Sequence, residues 1–151
     1  KIPLVEGRGL QKKIYIKNKK ISLIDESYNS NPETMKICID YFISLKVSKN
    51  QKKIMILGDM KELGENSIKY HSDLINYITN KNLQNVIICG EFMKIALEKN
   101  KNNKIKCFLD NKLIIKYIDM IIKTGDIILI KGSNTSMTNT LAKKFLNKGI
   151  K

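Results

Sequence analysis

The fold is indicated by the stretch Lys53-Ile54-Met55-Ile56-Leu57-Gly58, an apolar run that ends at a glycine. Such a run predicts a strand that is buried on both faces of a sheet. Apolar residues then recur at helical spacing over residues 66–79, and a second apolar run at 85–89 ends at Gly90. A strand, a helix and a strand in this order predict a βαβ unit with parallel strands.

The same alternation continues on both sides of this unit. Helices are predicted at residues 32–45, 66–79, 92–99, 111–123 and 136–146, and strands at 13–17, 20–24, 53–57, 85–89, 105–108 and 127–130. The first two strands flank Asn18, which predicts a tight turn, and Gly125 follows the fourth helix in the position of a C-cap glycine. The sequence therefore predicts an α/β, Rossmann-like fold, with a mostly parallel sheet, helices on both faces and one antiparallel edge strand.

The composition predicts one globular domain over residues 1–151, with 42% hydrophobic and 28% charged residues. No apolar run approaches the ~20 residues that a membrane helix needs. The cysteines Cys38, Cys89 and Cys107 have no CxxC spacing, so neither a disulfide framework nor a metal site is expected. We expect a reducing, cytoplasmic location.

The net charge of +14 has two interpretations. It is typical of proteins that bind nucleic acid or other anions. The lysines are nevertheless scattered along the chain, which favours a compositional bias over a nucleic-acid platform. Among 28 basic residues only Arg8 is an arginine. A guanidinium can bind phosphate through two parallel hydrogen bonds, which a lysine ammonium cannot do. Arg8 is therefore either a phosphate contact or an arginine retained by chance.

Polar segments follow three of the predicted strands, at residues 25–32, 58–64 and 131–136. Ligands of open α/β sheets bind beyond the carboxyl ends of the strands, so we expect these segments to form one binding site. The familiar nucleotide and hydrolase motifs GxxxxGK[ST], GxGxxG and GxSxG are absent from the sequence. We therefore expect no catalytic residue that acts within this domain alone.

Each polar side chain of the first segment has a functional and a structural interpretation. Asp25 is suited to accept hydrogen bonds from a ribose diol, or to act as a turn acid. Tyr28 is suited to stack on a base, or to cover the core. Asn29 and Asn31 are suited to read polar edges, or to build a turn before Pro32.

The other two segments carry charged groups that suit an amino-acid substrate. Lys131 and Ser133 flank a glycine close to a predicted helix start, an arrangement suited to a carboxylate. Asp59 is suited to orient an amine, or to cap the helix that begins near Asn66. For His71, the only histidine, a packing or surface role is favoured over catalysis.

These segments, in this order, resemble the C-terminal domain of the Mur ligase family. The resemblance covers nearly the whole chain and rests on residues 6–9, 24–35, 57–65, His71 and 130–133. It is nearest to the branch that adds D-alanyl-D-alanine to UDP-N-acetylmuramoyl-tripeptide in peptidoglycan synthesis. It implies an ATP-dependent amide ligase in which an acyl phosphate forms and the incoming amine then displaces phosphate.

The resemblance also implies roles for individual residues. Arg8 would contact an ATP phosphate and Asp25 the ribose. The residues expected on the ribose and adenine side are Tyr28, Asn29 and Asn31, and those expected near the incoming dipeptide are Asp59, Lys131 and Ser133. The sequence departs from the family pattern at Glu26, Ser30 and Asn134, where the family often has aspartate, alanine and arginine.

The resemblance places the P-loop and the magnesium ligands in a central domain, and the UDP-sugar site in an N-terminal one. We therefore expect a C-terminal fragment that is inactive alone and whose partners are those two domains, with ATP and magnesium held mainly by the central domain. Another Mur branch or folylpolyglutamate synthase is the alternative enzyme, although their DYAH and DNPR segments do not occur. A basic nucleic-acid-binding module is the alternative of a different class; we expect no membrane and no specific nucleic-acid partner.

Overall fold

A computed structural model of the protein describes residues 9–81 and 83–148, so Arg8 lies outside the described residues. The strands of this part of the chain are β1 Leu10–Ile16, β2 Lys19–Glu26, β3 Lys53–Leu57, β4 Val86–Cys89, β5 Lys106–Phe108 and β6 Ile127–Lys131. Its helices are α1 Pro32–Ser44, α2 Ser67–Asn80, α3 Glu91–Asn100, α4 Asn111–Ile121 and α5 Met137–Lys148, with a 3₁₀ turn at Gly64–Asn66.

The strands form one sheet in the order β1-β2-β6-β3-β4-β5. Strand β1 pairs antiparallel with β2 at one edge, and the other neighbouring strands are parallel. This confirms the predicted mostly parallel sheet with an antiparallel edge. Strand β2 extends two residues beyond the predicted end at Ile24, because Asp25 and Glu26 pair with Ile130 and Lys131 of β6.

Helices cover both faces of the sheet, as predicted, and strand β3 shows how the faces separate. Ile54 and Ile56 belong to the core that α4 and α5 close. Met55 and Leu57 belong to the core beneath α1, α2 and α3. Successive side chains of a strand point to opposite faces, so this apolar run supplies both cores.

The end of α4 corrects one prediction. The helix stops at Ile121 with Ile122 as an extended C-cap, so Gly125 is not a C-cap glycine. Gly125 instead occupies a turn before β6 with a φ of 95°, and its N–H donates to the carbonyl of Lys20. The buried carboxylate of Asp126 fixes this turn, since it accepts hydrogen bonds from the backbone N–H groups of Lys123 and Lys52.

Candidate nucleotide and acceptor site

Three loops meet at the edge of the sheet where β2, β3 and β6 end: residues 27–31, 58–66 and 132–136. The N–H of Gly58 donates to the carbonyl of Lys131 over 2.8 Å. The N–H of Ser133 donates to the carbonyl of Asp59, and the N–H of Lys61 donates to Ser133 Oγ over 2.9 Å. The ammonium of Lys131 donates to the carbonyl of Asn29 over 2.8 Å. The loops that the sequence places at one edge are therefore joined by hydrogen bonds.

Asp25 lies at the end of β2 and is almost fully buried. Its Oδ1 accepts hydrogen bonds from the N–H and the hydroxyl of Ser27, at 3.0 and 2.5 Å. It also lines a cavity of about 300 Å³, together with Tyr28, Asn134, Asn139 and Lys143. Asp25 thus acts as a turn acid with Ser27, one of its two predicted interpretations, and it also borders a cavity on the α5 side.

The residues predicted on the nucleotide side do not stay together. Tyr28 is 39% exposed and lines the same cavity as Asp25. Asn29 lines a different cavity with Lys131. The side chain of Asn31 is the N-cap of α1, where it accepts a hydrogen bond from the N–H of Thr34 at 2.9 Å in a capping box. The structure therefore brings together Asp25 and Tyr28, and separately Asn29 and Lys131.

The second cavity, of about 450 Å³, lies on the α1 side. Lys131 and Glu26 supply its charges, and α1 supplies an apolar wall with Ile37 and Tyr41. Lys131 is buried, which is unusual for a lysine. Burial raises the pKa of Glu26, and the nearby Lys131 partly opposes that shift. An ammonium held at such a depth is suited to an anionic group of a ligand.

The carboxylate of Asp59 is already engaged in the structure. It accepts hydrogen bonds from the N–H groups of Phe92 at 3.3 Å and Met93 at 3.0 Å, and it therefore caps the start of α3. Gly90 makes this approach possible, since a Cβ there would lie 2.4 Å from the carboxylate of Asp59. The sequence offered capping as one interpretation of Asp59, but the helix that it caps is α3 rather than the helix that follows its own loop.

Ser133 is buried and belongs to a group of hydroxyls at the start of α5. Its carbonyl accepts from Ser136 Oγ at 2.6 Å, and Ser136 Oγ lies 2.6 Å from Thr138 Oγ1. Gly132 leaves room for them, since a Cβ there would lie 2.0 Å from Thr138 Oγ1. Gly132 thus permits the close approach of the 132–136 loop to α5.

Two residues of the site were not assigned a role from the sequence. The ammonium of Lys61 lies 4.0 Å from Asp59 Oδ2 and 5.5 Å from the centroid of the Phe92 ring. Lys61 therefore lies beside an acidic and an aromatic group. The sequence could not single it out, because lysine is abundant along the whole chain. His71 is fully buried beneath the 58–66 loop. Two signals in the sequence pointed to it: it is the only histidine, and it is one of the residues that carry the resemblance.

The described ranges contain no group of three or more histidine, cysteine or acidic side chains that could hold a metal ion. Within those ranges, no helix is long and apolar enough to cross a membrane. The thiols are not activated for nucleophilic chemistry: burial raises the pKa of Cys38 to about 11 and that of Cys89 to about 12.

A mostly parallel sheet with helices on both faces and polar loops at the strand ends defines a Rossmann-like ligand-binding domain. The family model described as Mur ligase, glutamate ligase domain, matches residues 13–134. This match covers most of the chain, and the chain therefore belongs to the Mur ligase family.

Two relatives of known type indicate the branch of the family. The chain is 35% identical to the UDP-N-acetylmuramoyl-tripeptide--D-alanyl-D-alanine ligase of Rickettsia prowazekii, over 87% of this chain and 28% of that protein. It is 32% identical to the ligase of the same name from Buchnera aphidicola, over 85% of this chain and 28% of that protein. The chain thus spans less than a third of the length of these relatives.

Solved structures give the same result. The MurF ligase of Thermotoga maritima in complex with ADP has a TM-score of 0.76 and 25% identity, over 99% of this chain and 32% of that one. A MurF structure from Acinetobacter baumannii has a TM-score of 0.74 and 27% identity, over 95% of this chain and 30% of that one. The domain is therefore of the MurF type, as the resemblance in the sequence predicted.

Proposed function

We propose that this chain is the C-terminal domain of a cytoplasmic, ATP-dependent ligase that joins D-alanyl-D-alanine to UDP-N-acetylmuramoyl-tripeptide. The observation that carries the proposal is the meeting of the 27–31, 58–66 and 132–136 loops at one edge, since these loops contain the segments by which the sequence resembles this branch. The names of the relatives support the same choice of branch.

The α5-side cavity is proposed to receive the nucleoside of ATP. Asp25 offers a carboxylate to the ribose hydroxyls, and Tyr28 offers an aromatic face to the base. Lys143 adds a positive charge on the same wall. ATP supplies the phosphoryl group that activates the substrate carboxylate, and Arg8 is proposed to contact its phosphates. The ADP in the Thermotoga maritima MurF structure supports nucleotide binding by this class of protein.

The acceptor dipeptide is assigned to the end of β6, where Lys131 lines the α1-side cavity and Ser133 contacts the 58–66 loop. Lys131 is proposed to attract its carboxylate, and Ser133 offers a hydroxyl nearby. Since the carboxylate of Asp59 caps α3, the contribution of Asp59 is to hold the 58–66 loop beside Ser133. We assign no magnesium ligand to the described part of the chain.

The activity requires the other domains of the enzyme. The central domain is proposed to hold ATP and magnesium, and the N-terminal domain the UDP-sugar. Closure of this C-terminal domain would bring Arg8 and Asp25 to the nucleotide and exclude water, which protects a reactive acyl phosphate from hydrolysis. The isolated chain is therefore proposed to be inactive.

The direct test is a ligase assay with the full-length protein, ATP, magnesium and UDP-N-acetylmuramoyl-tripeptide, with phosphate release as the readout. We expect turnover that requires D-alanyl-D-alanine and is absent with single amino acids. Turnover with a single amino acid instead would assign the protein to another Mur branch. Silence with every acceptor, combined with tight and steeply salt-dependent nucleic-acid binding, would favour the basic-module alternative.

A further inference from the structure

His71 makes two hydrogen bonds that fix its protonation state. Its Nε2 lies 2.9 Å from the backbone N of Met60, and its Nδ1 lies 2.7 Å from the carbonyl oxygen of Ser67. A backbone N–H only donates and a carbonyl only accepts, so Nε2 must be unprotonated and Nδ1 must carry the proton. The ring is thus a neutral imidazole that links α2 to the middle of the 58–66 loop.

Met60 lies between the two residues through which this loop holds Ser133. The carbonyl of Asp59 accepts the N–H of Ser133, and the N–H of Lys61 donates to the hydroxyl of Ser133. Met60 itself is fully buried. A change in the position of its backbone would therefore reach Ser133 through both neighbours.

The surroundings of the ring favour the neutral form. Burial lowers the pKa of His71 from its ordinary value of 6.5, and the positive charge of Lys61 lowers it further. The hydrogen bond to Ser67 and the negative charge of Asp59 act in the opposite direction without reversing the shift. On the α3 side the ring faces Phe92, whose centroid is 5.2 Å away. His71 is the only histidine of the chain, and histidine is the side chain whose ordinary pKa lies nearest to neutral pH.

We propose that His71 is a positioning residue for the acceptor dipeptide: its neutral form holds the 58–66 loop so that Ser133 is aligned, and its protonation releases the loop. The proposal rests on the proposed function, because it takes the 58–66 and 132–136 loops as the dipeptide side. Protonation converts Nε2 into a donor that faces the N–H of Met60, so the hydrogen bond is replaced by a repulsive contact. His71 touches no reacting atom in this account.

The test compares the full-length enzyme with His71→Gln and His71→Asn between pH 5.5 and 7.5. Glutamine places an oxygen near the position of Nε2, so it can still accept from Met60 but cannot titrate. Asparagine reproduces the Nδ1 side of the ring and loses the hydrogen bond to Met60. The KM for D-alanyl-D-alanine and the KM for ATP are measured for each protein. Protonation of the dipeptide amine affects all three proteins equally, so it cancels when the KM of the wild type is divided by that of a variant at the same pH.

We expect the dipeptide KM of the wild type, relative to that of His71→Gln, to rise about threefold to tenfold as the pH falls from 7.5 to 5.5, the size of one buried hydrogen bond. The dipeptide KM of His71→Asn should be raised at every pH, and the KM for ATP should follow the same pH profile in all three proteins. Equal dipeptide KM profiles for the wild type and His71→Gln would overturn the proposal even if the variants differ in melting temperature.

A spectroscopic measurement distinguishes a failure of the His71 proposal from a failure of the proposed function. The imidazole ¹⁵N shifts of the full-length protein, assigned by difference from His71→Gln, should show an unprotonated Nε2 and a protonated Nδ1 at pH 7.5. The opposite tautomer would overturn the proposal. A wild-type enzyme without any ligase turnover would instead contradict the proposed function on which it rests.

Discussion

The 27–31 loop follows β2 and the 58–66 loop follows β3, so both lie at the same edge of the sheet, on either side of the end of β6. Their polar groups are arranged differently. In the 58–66 loop, Asp59 and Met60 are buried, and their polar atoms are paired with α3, Ser133 and His71. In the 27–31 loop, Tyr28 and Asn29 are exposed, and each lines an open cavity.

The difference supports the proposal that the 58–66 half of the candidate site is assembled before any ligand binds. Ordered, mutually paired groups give a rigid platform, and rigidity lowers the entropy cost of binding. In the 27–31 loop the exposed side chains are those of Tyr28 and Asn29, as suits the proposal that another domain and a nucleotide complete this surface. Changes in the 58–66 region should therefore be seen first as lost stability, and changes near the 27–31 loop as lost ligand affinity.

The largest effect is expected from Gly90→Ala. At a φ of 108° an alanine is strained, and its Cβ would meet the carboxylate of Asp59 at 2.4 Å. We expect a loss of about 3 kcal/mol or more in the free energy of unfolding, measured with urea. Gly64→Ala is the matched control, since Gly64 also has a positive φ but no atom within 4 Å of its Cβ position, and about 1 kcal/mol is expected. Equal losses would show that the contact with Asp59 is unimportant.

The next effect tests the cap itself. Asp59→Ala leaves the N–H groups of Phe92 and Met93 without their acceptor, and we expect a loss of about 2 kcal/mol in the same urea experiment. Asp59→Asn keeps one acceptor oxygen and should cost less. Asp110 caps α4 at an exposed position, so Asp110→Ala should cost about 1 kcal/mol or less. A larger loss at Asp110 than at Asp59 would contradict the rigid-platform account.

On the open side the effect should fall on binding. Asp25→Asn retains an oxygen for Ser27 but removes the charge that is proposed to accept from the ribose. In the full-length enzyme we expect the KM for ATP to rise about tenfold, together with a loss of about 1 kcal/mol in the free energy of unfolding, because Asp25 is buried and bonded to Ser27. Asp110→Asn changes a residue that lines neither cavity, and it should leave this KM unaltered. An unchanged KM for ATP in Asp25→Asn would remove Asp25 from the nucleotide site.

The smallest effect is the pH dependence of stability. It has opposite signs for Glu26, which precedes the 27–31 loop, and for His71, which lies beneath the 58–66 loop. The pKa of Glu26 is raised by burial, so its ionisation destabilises the fold as the pH rises above 4.5. Glu26→Gln should therefore increase stability at pH 7 by less than about 1 kcal/mol, and by nothing at pH 4. The pKa of His71 is lowered, so stability is lost as the pH falls below 6.5, and His71→Gln should remove that loss. Urea unfolding at pH 4, 5.5 and 7 checks both signs; parallel curves for all three proteins would contradict them.

Much of the fold could be predicted because apolar runs and helical periodicity are local signals. The run from Ile54 to Leu57 is buried on both faces, as its composition predicted. The end of α4 could not be predicted in the same way, because it depends on Asp126, whose carboxylate binds a backbone N–H of residue 52 from a distant part of the chain. A glycine at position 125 is equally compatible with a helix cap and with a turn before a strand.

The site was predictable as a meeting of loops but not in its pairings. Asp59 caps a helix that begins more than 30 residues later, and such a contact has no signature in the local sequence. Tyr28 and Asn29 are adjacent in sequence, yet Tyr28 lines the cavity on the α5 side and Asn29 lines the cavity on the α1 side. The role of His71 required its two hydrogen-bond partners to be seen.

The division of the edge into a nucleotide side and an acceptor side is the central claim, and one crossed measurement tests it. The KM values for ATP and for D-alanyl-D-alanine are determined in the full-length enzyme for Asp25→Asn and Ser133→Ala. The account predicts that Asp25→Asn raises only the KM for ATP and that Ser133→Ala raises only the KM for the dipeptide. If each variant raised both values equally, the two sides would not be separate and the claim would be contradicted.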